Sequence, residues 1–366
     1  MNKGLLEFSI GNTIKLEQDI EDVSYNLIPK RLGLYLKECI PDFDTKFISG
    51  SVIQSSEKMD LEQLQTPIKL LINTAKVNNV RYINKFFESL NSKLEDQGIY
   101  VGCVETYNAY QHKHWISRFK LISMIYFFLV FIMKRVLPKI RGVNKLYFFL
   151  TKGRGRMVTK AEVLGRLVSC GFEIKNYRTI DGLLHFVVMK SRMPYYDESP
   201  SYGPLYSMPR IGKDGREIRV YKLRTMHPYA EYLHDYILSQ NGYASTGKPA
   251  NDFRVAPWGK FFRKYWIDEM PQIINVLKGE MKLVGVRPVG RRYYEDIPEE
   301  YRSIRFKYKP GCIPPYVSLG MSGDVENVLK AEQIYLNEYK DNPIITDIKY
   351  FFMAIFNILF RGKRSA

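Results

Sequence analysis

RVAPWGKFFRKYWIDEMPQIINVLKGEMKLVGVRP, residues 254–288, is the stretch on which the reading of this chain turns. Trp258 to Tyr265 predicts a short basic-aromatic helix. Asp268 then stands where a helix N-cap is expected, with Pro271 in the first turn, Ile273, Ile274 and Leu277 apolar, and Gly279 closing the helix. Met281 to Val286 reads as a strand that delivers Arg287 and Pro288 at its end. Asp268 and Glu269 are thus adjacent carboxylates at the positive end of a helix, with Arg263 upstream and Arg287 beyond the strand. That placement predicts a stabilised anion with a lowered pKa. A carboxylate so held can attack phosphorus, leaving its neighbour to bind Mg²⁺ or take a proton. Taken alone, such a pair is far more often an ordinary cap.

Around this block lie RIGKDGREIRVYKLRTMHP (residues 210–228) and RFKYKPG (305–311), both rich in cations. His227 and His234 follow the first of these and lack carboxylate partners at ligand spacing, so they read as surface or interface residues and not metal ligands. Further back, MPYYDESPSYGPLYSMP (193–209) has the composition of a linker. The chain of 366 residues is long enough for two or three domains, and 45% hydrophobic content excludes disorder throughout. Its four cysteines (Cys39, Cys103, Cys170 and Cys312) show no metal or disulfide spacing, which fits a reducing compartment. The first residues, MNKGLLEFSIGNTIKLEQDIED, contain no apolar run with a cleavage site, so no signal peptide is expected.

Charge is the strongest compositional signal. The formal balance is +17, and twelve Lys and Arg fall between Thr106 and Ala161, where there is no Asp or Glu. In their midst runs LISMIYFFLVFIM, Leu121 to Met133. A basic band around an apolar plug suits an anionic leaflet at about 1 kcal/mol per cation; nucleic acid would account for the charge but not the plug. As a helix the plug reaches about 20 Å, short of a ~30 Å hydrocarbon core. With cations on both flanks, a segment that re-enters or lies at the interface fits better than one that spans Leu121 to Leu137. A buried core helix is the bland alternative. YFFMAIFNILF (350–360), followed by Arg361, Lys363 and Arg364, reads either as an interfacial helix with a basic end or as a core helix. KGRGR (152–156) reads as a lipid-phosphate contact or a solvated turn.

In the N-terminal half, Pro67 to Asn73 reads as a buried strand, and Val80, Ile83, Phe87, Leu90 and Leu94 as a helix that Gly98 closes. Ile99 to Thr106 reads as a second strand. After the plug, Thr159-Lys160-Ala161-Glu162 is a capping box for a helix that Gly171 ends. Phe172 to Ile174 and Leu183 to Val188 then pair across Asp181-Gly182. This order resembles the back half of a class I methyltransferase Rossmann fold, without a glycine-rich loop for its cofactor. It reads as a structural or regulatory domain with the membrane segment inserted.

The C-terminal blocks resemble the bacterial sugar transferase family, the monotopic polyprenyl-phosphate phosphoglycosyl transferases. KLRTM (222–226) matches the family's K-F-R-T-M, and residues 254–288 match its R-x-T-x-x-G…L-D-E-L-P-Q-x-x-N-V-L-K-G-x-M-S-L-V-G-P-R-P run nearly end to end. KPG (309–311) matches a shorter element; PGCIPPYVSLGMSGDVENV departs from the family's segment there, so no sugar or uridine contact is carried over. The resemblance implies transfer of a sugar-1-phosphate from a UDP-sugar to undecaprenyl phosphate, releasing UMP, to begin a capsule, exopolysaccharide or O-antigen glycan. It implies Asp268 as nucleophile, Glu269 as Mg²⁺ ligand or base, and Arg263 and Arg287 as phosphate holders. Lys222, Arg224 and Arg305 join them on charge and position.

The expected fold class is therefore α/β. An N-terminal Rossmann-like α/β domain (1–117 and 151–192) is interrupted by a basic, apolar membrane segment (118–150) and followed by a mainly helical α+β transferase domain (203–366). The expected partners are a UDP-sugar, undecaprenyl phosphate and anionic lipids, not nucleic acid, at the cytoplasmic face of a bacterial inner membrane. The rival reading is a catalytically silent membrane scaffold for glycan assembly.

Overall fold

A computed structural model describes residues 14–15, 28–44, 51–57, 61–64, 66–139, 142–196, 203–242, 249 and 251–361. Most of the N-terminal segment, Arg141, the centre of the linker (197–202), Lys363 and Arg364 lie outside the described residues. Two compact units emerge, one from residues 1–200 and 227–254, the other from 201–226 and 255–366. Residues 227–254 thus group with the first unit, whereas the sequence reading places them in the second domain.

The first unit is built on strands β1 (Ile14–Lys15), β2 (Ser51–Ile53), β3 (Ile68–Lys76), β4 (Leu94–Val104), β5 (Phe172–Ile180) and β6 (Leu183–Lys190). They form one sheet in the order β1-β2-β3-β4-β6-β5, with β2, β3 and β4 parallel and the rest antiparallel. Burial on both faces explains the near-continuous apolar strands. Because successive side chains point to opposite faces, Leu71 and Tyr100 join Phe86, Phe87, Leu164 and Leu167 on one side. Leu70, Ile72, Ile99 and Val101 meet Leu32, Tyr35 and Leu36 on the other. The covering helices are α1 (Lys30–Cys39) and α2 (Ile83–Lys93), with α3 (Tyr107–Lys113), α4 (Lys120–Phe131), α5 (Val143–Thr151) and α6 (Lys160–Ser169) following β4.

Most local expectations for this unit hold, with longer strands. The Thr159 hydroxyl caps α6 by accepting from the Glu162 N–H at 3.3 Å, but the Glu162 carboxylate turns to Arg166 at 2.8 Å. Gly98 does not close α2; the helix ends at Lys93 and Gly98 lies inside β4. The capping pattern misleads there because the chain passes directly from helix to strand. The second half of the expected linker, Leu205 to Pro209, is strand in the second unit.

The apolar plug is not a buried core helix. In α4 only Phe127 is buried and in α5 nothing is. Leu121, Ile122, Met124, Ile125, Phe128, Leu129, Leu146, Phe149 and Leu150 are all exposed. After α4 the chain passes through a wider turn (Ile132–Val136) and a tighter one (Leu137–Lys139) before α5. The twelve residues of α4 span about 18 Å, and the helical path continues beyond them through Ile132–Lys139.

In the second unit, β7 (Leu205–Ile211) and β8 (Glu217–Leu223) form an antiparallel hairpin. The first unit's α7 (His234–Asn241) intervenes in sequence; then follow α8 (Pro257–Lys264), α9 (Ile273–Leu277), β9 (Lys282–Val284), α10 (Arg291–Asp296), α11 (Glu299–Arg305), β10 (Gly311–Ile313), α12 (Pro315–Ser318), α13 (Val325–Asp341) and α14 (Pro343–Phe360). Strands β9 and β10 pair in parallel. Trp266, Tyr316, Val317, Val328 and Ala354 form one core, and Val284, Val286, Tyr335 and Tyr350 another. Among the described residues α14 is the one helix long and apolar enough to cross a membrane. One side of it (Thr346, Tyr350, Ala354 and Asn357) is buried; Ile345, Ile348, Phe352, Phe356 and Leu359 make an exposed apolar stripe.

Gly165 of α6 tests how tightly residues 227–254 dock within the first unit. A Cβ there would lie 2.2 Å from the Tyr229 carbonyl oxygen, a backbone atom that cannot rotate away. Gly165→Ala should lower the thermal midpoint followed by circular dichroism, by more than removal of the α6 cap in Thr159→Ala, which costs about 1 kcal/mol.

Candidate active site

The carboxylate pair sits on a tight turn of helix, Ile267–Gln272, that leads into α9. Asp268 is not its N-cap. Trp266 holds that position with a left-handed backbone, φ 59°, and buries its ring in the unit's core. The carboxylates follow inside the first turn, both buried. Burial overturns the expected lowering of the Asp268 pKa. Loss of water raises it, the charge of Glu269 raises it further, and Lys222 and Arg263 only partly oppose them.

Lys222 enters from β8, with its Nζ 2.5 Å from Glu269 Oε1. The buried Asn275 fixes β8 against α9: its Nδ2 donates to the Arg219 carbonyl at 2.8 Å, and its Oδ1 accepts from the Tyr221 N–H at 3.1 Å. That asparagine, and not a catalytic need, explains one polar residue of the NVLKG segment. Gly259 is explained the same way. A Cβ at Gly259 would come 2.0 Å from the Thr225 carbonyl oxygen, so only glycine lets α8 lie on the end of the KLRTM segment. The approach brings Arg263 Nε within 3.0 Å of Thr225 Oγ1.

Of the sequence candidates, Lys222, Arg263, Asp268 and Glu269 are brought together. Arg224 donates to the Gly203 carbonyl at 3.0 Å and lies over the Tyr206 ring. Tyr206 and Arg210, both on β7, are absent from the sequence candidates. Tyr206 stands opposite Lys222 in the β7–β8 register. Burial raises its phenol pKa, and Glu269 adds to the rise against Arg224, Arg263 and Arg210. Arg210 is close enough to Arg287 and Glu269 to feel both charges. The available signal was the Gly-Lys-Asp-Gly turn at 212–215, whose hairpin geometry sets Tyr206 against Lys222. Cys312 beside β9 also feels Glu269, and burial drives its thiol up to about 12, so it is inert as a nucleophile.

Arg305 goes elsewhere. Its guanidinium is buried in a two-point pair with Glu332, both bonds 2.8 Å, and donates to the Arg287 carbonyl at 2.9 Å. Glu332 also accepts from the Arg287 N–H at 2.8 Å. Arg305 therefore holds the backbone from which Arg287 projects. The Arg287 guanidinium lies over the Tyr316 ring at 5.8 Å. His227 is buried, which excludes the surface half of the surface-or-interface expectation, and its backbone N–H donates to the Arg254 carbonyl; His234 Nδ1 lies 3.3 Å from Arg254. Both histidines belong to the first unit.

Among the described residues no group of three or more His, Cys, Asp or Glu could hold a metal. Two adjacent hard-oxygen carboxylates nevertheless fit Mg²⁺, which commonly takes one or two carboxylates and completes its shell with water and substrate phosphates.

A buried carboxylate pair with one ammonium against it and arginines around it defines a class of site suited to phosphoryl groups, where positioning and charge neutralisation dominate. The model of the bacterial sugar transferase family matches residues 183–361. The chain is 32% identical over 173 residues to the exopolysaccharide production protein PSS of Rhizobium leguminosarum bv. phaseoli, covering 44% of this chain and 82% of that protein. The chain belongs to the bacterial sugar transferase family. It is 36% identical over 159 residues to the galactosyl transferase CpsE of Streptococcus agalactiae serotype III (strain NEM316), covering 42% of this chain and 34% of that one. With the UDP-glucose:undecaprenyl-phosphate glucose-1-phosphate transferase of Escherichia coli (strain K12) it shares 32% over 163 residues, 43% of this chain and 33% of that one. The match thus spans about a third of these two relatives. Among solved structures, a putative S-adenosylmethionine dependent methyltransferase from Listeria monocytogenes covers 44% of this chain and 100% of its own, at 12% identity and a TM-score of 0.27. That likeness is too slight to argue from.

Removing Arg305 would strand Glu332 as a buried charge. Arg305→Met should cost about 3–5 kcal/mol in urea unfolding, while Arg305→Met with Glu332→Leu should recover much of the loss. Equal losses in the two variants would mean the pair is not what holds this corner.

Proposed function

We propose that this chain transfers a sugar-1-phosphate from a UDP-sugar to undecaprenyl phosphate, with Asp268 as nucleophile. The reading rests above all on one observation, the buried Asp268–Glu269 pair faced by Lys222 and Arg263. Membership of the sugar transferase family, and similarity to the UDP-glucose:undecaprenyl-phosphate glucose-1-phosphate transferase of Escherichia coli, point the same way.

An oxygen of the Asp268 carboxylate attacks the β-phosphorus. A bond from that oxygen to phosphorus forms, the bond from phosphorus to the bridging oxygen breaks, and UMP leaves with the electron pair. The product is an acyl phosphate carrying the sugar. An oxygen of undecaprenyl phosphate then attacks the same phosphorus, breaks the acyl-phosphate bond, and restores Asp268. Glu269 takes the proton of the lipid phosphate if it arrives protonated. Arg263, Arg287 and Arg210 hold phosphate oxygens, and Lys222 keeps Glu269 in place until substrate arrives. Glu269 would also hold Mg²⁺, which would supply charge neutralisation on the phosphates. The sequence candidate Arg305 supports Arg287 through its backbone.

The site also belongs beside a lipid surface. Directly after the pair, Met270, Ile273 and Leu277 are exposed, Leu277 by 82%, and Lys278 follows them. The α14 stripe and the α4–α5 hairpin add exposed apolar surface, the hairpin within the basic band. Without lipid such surfaces are costly. We place the chain at the cytoplasmic face of a bacterial inner membrane, with the hairpin entering the leaflet and not crossing it.

Asp268→Asn should abolish UMP release from UDP-sugar plus undecaprenyl phosphate and leave no phosphosugar adduct on the peptide containing residue 268; substantial turnover would sink the assignment. Absence of release by the unchanged protein across a UDP-sugar panel would favour the scaffold reading instead. The pH profile has a definite sign. The fold favours neutral Asp268 and attack needs the anion, so the acid limb of kcat/KM should lie above the ordinary aspartate range. By the same linkage, the stability Asp268 lends the fold is present at low pH and fades as pH rises through its raised pKa.

Membrane attachment can be checked separately. Phe128→Glu with Phe149→Glu, on the hairpin, should shift the protein from vesicles containing phosphatidylglycerol to the supernatant in flotation, while leaving the thermal midpoint nearly unchanged because both side chains already face solvent. Undiminished flotation would remove the hairpin from the account.

A further inference from the structure

The first unit contains a cavity of about 510 Å³ that the transferase reaction does not use. It opens at the carboxyl ends of the parallel strands. Gln54 and Ser56 follow β2, Thr74, Ala75 and Lys76 end β3, and Glu105 follows β4. That end of an open α/β sheet is where such folds take their ligands.

The walls are tied together. Asn78, buried between them, donates to the carbonyls of Glu105 and Arg156, both at 2.8 Å, and accepts from the Glu105 N–H at 2.8 Å. The Gly155 N–H donates to Asn79 Oδ1 at 3.2 Å, and the Met157 N–H reaches the Lys134 carbonyl at 3.4 Å. The cavity is therefore held open by cross-strand and cross-loop bonds.

Its chemistry is cationic. Lys76, Lys134 and Arg156 line the cavity together with a single carboxylate, Glu105, and one guanidinium nitrogen of Arg156 donates to the Val80 carbonyl. Lys76 Nζ lies 3.6 Å from Glu105, and Lys134 Nζ lies 4.7 Å from the centre of the Tyr110 ring. Pockets for apolar ligands are lined mostly by hydrophobic side chains; this one is lined by amides, hydroxyls and charges. Its volume falls in the range of small-molecule sites, about 300–1,000 Å³.

We propose that this cavity binds a small phosphate-bearing anion of nucleotide size, with its phosphate against Lys76, Lys134 and Arg156 and its hydroxyls toward Glu105 and the amide side chains. The proposal does not rest on the transferase reading. Because Lys134 lies in the segment Ile132–Val136 that continues from α4, occupancy would bear on the root of the apolar hairpin. The phosphate can come from a soluble nucleotide or from a phospholipid headgroup that the hairpin brings near.

The test is calorimetric titration of the full chain in phosphatidylcholine nanodiscs with AMP, GMP, CMP, inorganic phosphate and glycerol 3-phosphate. Uridine nucleotides are left out because they report on the other unit. At least one probe should bind one to one. Lys76→Glu with Lys134→Glu should weaken it by about tenfold or more, and so should Asn79→Asp, which retains the acceptor for the Gly155 N–H. Arg263→Ala should leave it unchanged. Preference for a nucleotide assigns the soluble source, and preference for glycerol 3-phosphate assigns the headgroup. S-adenosylmethionine, a cation without phosphate, should not bind. The proposal is overturned if no probe binds, if binding survives both sets of changes, if Arg263→Ala removes it, or if S-adenosylmethionine binds in its place.

Discussion

Two carboxylates taken out of water beside one another set the central constraint of the second unit. Neither burial nor proximity favours them, since each raises the cost of the charged form. Lys222 supplies the compensation for Glu269, and it can do so only from a fixed strand. Asn275 fixes that strand, Trp266 turns the chain so that the pair faces it, and Gly259 lets α8 bring Arg263 close. Asp268 is left the less compensated of the two. A buried aspartate displaced toward its neutral form is held at a cost, and such perturbed groups cluster at functional sites.

Away from the pair, a second buried ion pair does structural duty. Arg305 and Glu332 spend their hydrogen bonds on each other and on the backbone of Arg287. Two arginines in the same family-like region thus have opposite fates, one offered toward the site's charges and one consumed in its support. Charge and position along the chain do not separate them; the partner each finds in three dimensions does.

The exposed apolar surfaces share one logic. The α4–α5 hairpin, the stripe on α14 and the face bearing Met270, Ile273 and Leu277 are all apolar with no protein covering them among the described residues. Each leaves an apolar side uncovered, which suits contact with a lipid surface. The proposed lipid acceptor would give these surfaces a common reason, because its phosphate would lie at the headgroup level.

Much of this was legible in the residues themselves. Alternating and helical periodicities located β3, β4, α6 and the β5–β6 pair, because their apolar positions answer to a sheet covered on both faces. The run at 254–288 carried the family, since its spacing is fixed by contacts such as those of Gly259 and Asn275. Tertiary structure alone decided the rest. It assigned residues 227–254 to the first unit, placed Tyr206 opposite Lys222, drew Arg305 to Glu332, and raised the Asp268 pKa where local rules predicted a fall. The physical reason is the same in each case. Periodicity and capping report what a residue does within a turn or two of chain, whereas desolvation and ion pairing depend on groups that folding brings from tens of residues away.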